Sequence, residues 1–404
     1  MAIYKVLFQP LGEYFFGADG SFREGLENAE YFISSREFPS QTTIFGILRY
    51  LNLIHKKDWE KYLKKDWEDN KKAVGSSGFS MEGAIEEKDK VADFGLIKGI
   101  SAVFLNEDNI EAQINKIYVP LPKDASYESS SGYSSFISDS KEMVETIKGK
   151  KLIPDYNAKK GIKKGFISID KGIKADSHAV SEEDLEIIDS HAVSEEDLEI
   201  IDSVFECRVK GAIKLNRDIE DEKNKEPISS LFKKKYIKLK QDPGKKEYSF
   251  GVYAEIEGDD VEKKLTGIVG MGLGSTPFKV TAKRISDCEK TERLQDDLVL
   301  NVSRIFEKHT QKENIIYCIS TCFIEKPQEI LDKCLFSSIE TISNRQLISK
   351  DGYKWKKEQT LYTMLDAGSI LIAEGENKDE IRSDLEFKGL KQIGYNHYYI
   401  GGKV

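Results

Sequence analysis

The chain is poor in cysteine: five in 404 residues, an odd number, which leaves no disulfide framework and implies reduced thiols. Cys318 and Cys322, in "IIYCISTCFI", have the even spacing that places both on one face of a strand, where packing into a core is the expected role. Histidine is equally scarce. His55, His178, His191, His309 and His397 form no zinc-type spacing with one another or with the cysteines, so neither a metal nor a cofactor is implied. No apolar run approaches the roughly 20 residues that a membrane helix needs. The opening "MAIYKVLFQPLGEY" lacks the charged start, long apolar stretch and small-residue cleavage site of a signal peptide. The expectation is a cytoplasmic protein without membrane contact. A hydrophobic content of 39% beside 32% charged residues fits a soluble globular chain of two domains.

The net charge of −9 argues against nucleic acid until its distribution is followed. Between Asp176 and Glu206 lie twelve acidic residues and no lysine or arginine, and removing them takes the remainder from −9 to +3. Within that stretch "DSHAVSEEDLEII" occupies 176–188 and recurs letter for letter at 189–201. Each copy offers a serine and an aspartate at capping-box spacing but only one turn of apolar surface. A perfect duplication of this kind is tolerated in an exposed insertion, so 176–203 is expected to be a surface excursion with no part in the chemistry. The basic residues cluster elsewhere: Lys159, Lys160, Lys163 and Lys164; Lys233, Lys234 and Lys235; Lys245 and Lys246. Such clusters are ordinary solvated surface or the footprint of a polyanion.

The remaining pattern is α+β, with antiparallel sheets backed by helices. "AIYKVLFQPL" reads as a first strand ended by Pro10, and "FPSQTTIFGILRY" as a helix continuing through "LNLIHKKDWEKYL". Ser40 suits the N-cap, Thr43 the third helical position, and Ile44, Ile47, Leu48, Leu51 and Ile54 line one face. Gly46 and Arg49 fall on the other side. A helix glycine costs about 1 kcal/mol relative to alanine, which suggests close packing there. The hydroxyls of Ser40, Thr42 and Thr43, with the free N–H groups of the first turn, suit a phosphate. Residues 68–95 read as a polar loop, and the serine-rich tract after "IYVPLPKDA" as flexible. "KKKYIKLKQDPGKKEYSFGVYAEIE" reads as two strands flanking an Asp-Pro-Gly turn in a hairpin. In it Tyr248, Phe250, Val252, Ala254 and Ile256 share one face, and Lys238 and Lys240 share a face with Tyr236.

Catalytic constellations are lacking too. "GIVGMGLGSTPFKV" is glycine-rich, but Pro277 and β-branched residues follow it rather than a helix, and no Gly-Lys-Ser/Thr is present. Its turn, with Gly270, Met271 and Gly272, still lets a polyanion backbone come close, and Lys279, Lys283 and Arg284 lie just downstream. His55, in "LIHKKDW", sits where a general base could stand, or is a surface histidine on a lysine-rich helix end.

"FPSQTTIFGILRY" resembles the Pro-Ser-x-Thr-x-x-Gly-x-Leu/Ile-Arg segment of the RAMP superfamily of CRISPR effector complexes. More narrowly, the chain resembles the third-subunit family of the type III-B (Cmr) complex. "YFFGADGSF" at 14–22 is similar to an aromatic-glycine loop, and "KGISAVFLN" with "KIYVPLPKDA" to a glycine-led strand and its Tyr-x-Pro-x-Pro-x-Asp sequel. "GIVGMGLGSTPF" stands where the family has a glycine-rich turn. "LDAGSILI" resembles a Pro-Ala-Gly-Ser strand with Asp366 in place of the proline, and "GLKQIGYNHYYIG" a glycine-rich C-terminal loop. Nothing in 129–230 matches.

The resemblance implies two ferredoxin-like (RRM-like) domains with helical and loop insertions, 1–230 and 231–404. It implies a non-catalytic subunit in antiviral defence that holds the 5′ handle of the crRNA. Its protein partners would be the large polymerase-cyclase subunit and the backbone RAMP subunits, with target RNA met indirectly. The residues expected at RNA are Phe16, Arg36, Ser40, Thr42, Thr43, Arg49, Lys233, Lys234, Lys235, Gly270, Met271, Gly272, Lys279, Asn396 and His397. Three other readings stand beside this one. They are a metal-independent endoribonuclease of the same superfamily with His55 as base, the equivalent handle-binding subunit of a type III-A complex, and an α+β protein unrelated to RNA.

Overall fold

Tyr4, Val6 and Phe8 all point to one side of strand β1 (Ala2–Pro10), and their burial fixes the centre of the molecule. In the computed structural model, β1 lies antiparallel between β14 (Lys246–Ile256) and β16 (Thr276–Asp287). Val6 faces Val252 on one side and Ala282 on the other, while Phe8 faces Phe250 and Val280. Each such apolar side chain, removed from water, contributes about 1.5–3 kcal/mol. The structure describes residues 1–17, 31–54, 72–75, 78–112, 114–126, 133, 135–137, 143–146, 149–152, 162–169, 173–174, 199–201, 204–215, 229–242, 244–272, 274–287, 302–306, 313–344, 347–350, 354–357 and 360–401.

The central sheet has ten strands. Its main path runs β11 (Ile200–Ile201), β9 (Phe166–Ser168), β6 (Ile114–Pro120), β5 (Phe104–Asn109), β14, β1, β16 and β15 (Gly267–Met271). β10 (Ile173–Lys174) pairs with β6, and β4 (Ile97–Ile100) with β14. A second sheet orders β12 (Phe205–Leu215), β13 (Ser229–Leu239), β3 (Tyr31–Arg36) and β2 (Phe16–Gly17), with β13 and β3 parallel. A third orders β19 (Cys334–Ser338), β24 (Ile370–Ala373), β17 (Ile315–Cys318) and β25 (Tyr398–Ile400). The fourth orders β18 (Cys322–Phe323), β23 (Tyr362–Leu365) and β20 (Thr341–Asn344). Two ribbons, β7 (Met143–Thr146) with β8 (Gly149–Leu152) and β21 (Leu347–Lys350) with β22 (Lys354–Lys357), stand apart. The chain is thus mixed α+β, rich in antiparallel strands. The expected division at 230/231 runs through the central sheet, because β1 pairs with two strands from beyond it. Among the described residues no helix is long and apolar enough to cross a membrane.

Helix α1 (Gln41–Ile54) covers the Tyr4–Phe8 side of the sheet. Ser40 caps it, its Oγ accepting from the Thr43 N–H at 3.3 Å. Ile44, Leu48 and Leu51 are buried as their spacing predicts, and Phe45 joins them against Phe94 at 4.5 Å between ring centres. Gly46 is exposed, and a methyl group there would meet nothing within 4 Å, so among the described residues nothing supplies the close packing expected around it. The described part of the helix ends at Ile54, and the expected continuation, His55 included, lies outside the described residues.

Several local expectations are corrected. The strands flanking Asp-Pro-Gly make no hairpin: β13 pairs with β12 and β3, whereas β14 pairs with β1, β4 and β5. The two arms are joined at the turn by the bridge between Asp242 and Lys246 and by the Gln241 side chain, which donates to the Tyr248 carbonyl at 2.9 Å and accepts from its N–H at 3.1 Å. Five buried residues alternating along β14 gain more from the central sheet than from β13. Cys318 and Cys322 do not share a strand, because the chain turns between β17 and β18, although both end buried in one cluster. The 68–95 loop contains a helix, Met81–Glu86, whose Ser80 cap accepts from the Gly83 N–H at 3.0 Å. The serine-rich tract is pinned at Tyr133 and Ser135, whose hydroxyls donate to Asp124 at 2.6 and 2.5 Å. The acidic repeat also enters the fold, since Ile200 and Ile201 form β11 and Glu199 pairs with Lys116. The C-terminal "loop" is a short helix, Lys388–Gln392, followed by β25.

Candidate nucleic-acid interface

Residues 12–16 carry the chain from β1 of the central sheet to β2 of the second sheet. Tyr14 exchanges backbone hydrogen bonds with Ile237 (2.7 and 3.0 Å), and its hydroxyl donates to the Glu37 carbonyl at 2.9 Å. Pinned in this way, the segment sends Phe16 into the core, 5.9 Å from Phe278 and 6.1 Å from Phe250. Phe15 meets Tyr236 at 5.5 Å instead, with the Lys234 ammonium 5.5 Å above its ring.

The β12–β13 register then builds a surface. Directly paired residues of antiparallel strands share a face, and the pairs are Glu206 with Lys238, Arg208 with Tyr236, and Lys210 with Lys234. Ile237 and Leu239 of the opposite face are buried in the core, so this face turns outward. The Lys210 ammonium lies 5.2 Å above the Tyr236 ring. Gly12, Glu13, Arg208, Lys210, Tyr236 and Lys238 line an open groove of about 490 Å³. Glu13 is its one acidic wall, accepting from Lys210 and pairing with Arg208 at 3.2 Å. The Lys210 hydrogen bond above all holds the Glu13 carboxyl below the ordinary carboxylate range. Successive outward side chains of a strand stand roughly 6.8 Å apart, so Lys234, Tyr236 and Lys238 form an evenly spaced row of charge with a ring in it. Such a row suits an extended polyanion with stackable bases.

Of the residues expected at RNA, this face takes in Lys234. Lys233 is on β13, and its side chain lies outside the described set. Lys235 is half-buried on the opposite face. Gly270 and Gly272 flank the next turn, where Gly272 has φ +74° and would drive a methyl group to 2.5 Å from the Phe15 carbonyl oxygen. That close approach ties the glycine turn to the aromatic segment, although Met271 and Phe16 are themselves core. Lys279 is exposed on β16.

Arg49 apart, the others lie around the place where the start of α1 meets the C-terminal segment, Gly394 packing against Gln41 and Tyr395 against Thr42. Ser40 Oγ lies 3.1 Å from Thr42 Oγ1 and 2.9 Å from Thr43 Oγ1, so the three hydroxyls serve one another. Arg36 donates to the Ser343 carbonyl at 2.6 Å. Arg49 donates to the Val74 carbonyl at 2.8 Å and covers the rings of Phe45 and Phe94, so its guanidinium is engaged within the chain. Asn396 is fully buried. Its amide accepts from the Phe323 N–H at 2.8 Å and donates to the Phe323 and Leu385 carbonyls.

His397 is also buried, its Nε2–H donating to the Lys391 carbonyl at 3.0 Å while Nδ1 has no partner among the described residues. Burial pushes the imidazole from 6.5 down to about 4. Between those values the unfolded chain takes up a proton that the native state refuses. Stability is therefore expected to be full above pH 6.5 and to fall toward pH 4 by about 1.4 kcal/mol per unit, on the order of 3 kcal/mol in all. Denaturant melts of wild type and His397→Gln across that range check this, the variant giving the shallower dependence.

Sequence reasoning passed over Glu13, Phe15, Arg208 and Lys210. The signal existed: "CRVKG" places Arg208 and Lys210 two apart, the spacing of one strand face, but it directly follows the acidic repeat. Among the described residues no group of three or more histidine, cysteine or acidic side chains is placed to hold a metal.

The family described as CRISPR-associated protein (Cas_Cmr3) matches residues 6–403. Among solved structures, one chain of the type III-B Cmr-beta complex bound to cognate target RNA and AMPPnP is similar at 14% identity with a TM-score of 0.41, over 97% of this chain and 94% of that one. Another, from the complex bound to cognate target RNA, is similar at 13% identity with a TM-score of 0.42, over 98% and 96%. No curated protein matches.

Proposed function

The chain belongs to the CRISPR-associated protein family Cas_Cmr3, and from that membership we propose that it is a non-catalytic RNA-binding subunit of a type III-B effector complex. It holds the 5′ handle of the crRNA, contacts the large polymerase-cyclase subunit and the backbone subunits, and meets target RNA only through the assembly. Its architecture is two ferredoxin-like units, one around the central sheet and one around the sheet of β17, β19, β24 and β25. The observation that carries the reading is the outward face of β12 and β13, where Arg208, Lys210, Lys234 and Lys238 surround Tyr236. Single-stranded RNA is gripped by cations along its backbone and by rings against its bases, and this face supplies both.

Glu13 gives a specific test. It pairs with Arg208 and Lys210 and repels phosphate from the groove. In Glu13→Gln the carboxylate no longer competes with phosphate for these cations, and affinity for repeat-derived RNA is expected to rise several-fold, with a salt dependence steeper by about one contact. An unchanged affinity and slope would place the RNA elsewhere. Holding a handle breaks no bond, so repeat RNA incubated with the protein in EDTA is expected back at full length. Cleavage that disappears in His55→Ala would make the chain a processing endoribonuclease instead.

A further inference from the structure

At the far edge of the central sheet from β11 lies β15, which among the described residues pairs with β16 alone. Among the described residues no backbone group is hydrogen-bonded to its outer side. Edge strands are normally guarded by a charge, a proline or a bulge, because an unpaired row of N–H and C=O groups is a template for another strand. β15, "GIVGM", has none of these. Its inner side chains, Val269 and Met271, are buried. Of the outer ones, Ile268 is 70% exposed and Gly270 bears no side chain. In register with this outer face, Ile268 pairs with Lys279 and Gly270 with Pro277, and Leu11, 51% exposed, is bonded through its N–H to the Pro277 carbonyl. Lys283 lies further along the same face of β16, and Lys263 and Lys264 just precede β15. Glu262, the carboxylate beside them, accepts from the Arg284 N–H.

We propose that the free edge of β15 is a protein-docking site. It takes an extended segment of a partner subunit that adds as a further strand and alternates apolar with acidic side chains. Three features select that occupant. The backbone edge offers hydrogen bonds at strand spacing, which a polypeptide matches and a polynucleotide does not. Ile268 and Leu11 offer apolar surface to alternate residues, and Lys279 and Lys283 call for carboxylates between them. Among the described residues of β15 and β16 no aromatic ring stands on this outer face to stack a base. The site uses other strands than the β12–β13 face and does not rest on the RNA reading.

The test uses the full chain and an eight-residue peptide alternating valine and glutamate. The peptide is expected to bind and to slow amide hydrogen exchange within 267–271. A version N-methylated at every second residue, which cannot complete the ladder, is expected to bind at least about tenfold more weakly, as is the unmodified peptide to Ile268→Gln. Ile268→Gln should retain the wild-type melting temperature and RNA affinity, since its side chain is exposed, uncharged and not part of the groove lining. Absence of peptide binding, equal binding of the two peptides, or slowing of 267–271 by RNA in place of peptide would each overturn the proposal.

Discussion

Replacing Arg208, Lys210, Lys234 and Lys238 by glutamine and Tyr236 by alanine is expected to weaken binding of repeat RNA by three orders of magnitude or more. The cations act through counterion release. Each phosphate contact on a single strand contributes about 0.7 to the slope of log affinity against log salt, so four lost contacts flatten it by about 3. At 0.15 M salt that slope corresponds to roughly two decades of affinity. Loss of the ring removes a stacking contact of about 1–3 kcal/mol, at least most of a further decade. The salt slope separates this outcome from unfolding. A misfolded variant loses affinity in every respect, whereas the expected variant melts normally and titrates RNA on a shallower line. Tyr236→Ala alone should lower affinity while leaving the slope unchanged. An unaltered salt slope in the five-residue variant would remove this face from the RNA path.

Gly394→Ala is expected to destabilise the chain by about 4 kcal/mol. Gly394 has φ +89°, follows the helix Lys388–Gln392 and donates to the Lys391 carbonyl at 3.0 Å, the usual way a left-handed residue ends a helix. A methyl group there would lie 2.4 Å from the Ser101 carbonyl oxygen and 2.5 Å from Gln41 Oε1. Strain at such a backbone angle costs about 1–3 kcal/mol, and overpacking a similar amount. The first neighbour is backbone just beyond β4 and can yield only if that segment moves, whereas the second is the amide oxygen of the Gln41 side chain, which a rotation can withdraw. Equilibrium denaturation measures the cost. Gly46→Ala is the contrasting control: its methyl group meets open space, and removing a helix glycine should stabilise the isolated chain by about 1 kcal/mol. A Gly394→Ala chain as stable as wild type would mean that the C-terminal segment does not dock on α1.

What the sequence made legible was whatever depends on neighbours along the chain. The Ser40 cap, the buried stripe of α1, and the alternation in β1 and β14 follow from local periodicity. Pairing partners do not, because period two tells which face a residue takes and not which strand lies beside it. That is why the Asp-Pro-Gly turn suggested a hairpin where two sheets diverge. The lysine run misled for a related reason. Consecutive lysines on a strand cannot face one way, so Lys234 joins the groove while Lys235 turns over. The polar residues of the C-terminal segment looked like surface. Asn396 is inside because its amide pairs with both backbone groups of Phe323, doing for the turn what another strand would do. The resemblance located the family correctly, while the cationic face itself emerged only when the register of β12 on β13 set Arg208 beside Tyr236.

The strand at the opposite border from β15 has its own consequence. β11 is the last two letters of a duplicated sentence, and the first copy ends in the same letters, Glu186, Ile187 and Ile188, as the second, Glu199, Ile200 and Ile201. Excising 176–188 or 189–201 yields one and the same polypeptide. Deletion genetics is therefore blind to which copy occupies the sheet. Only a mark written into one copy and not the other, such as Ile187→Asp set against Ile200→Asp, distinguishes the part in use from its spare.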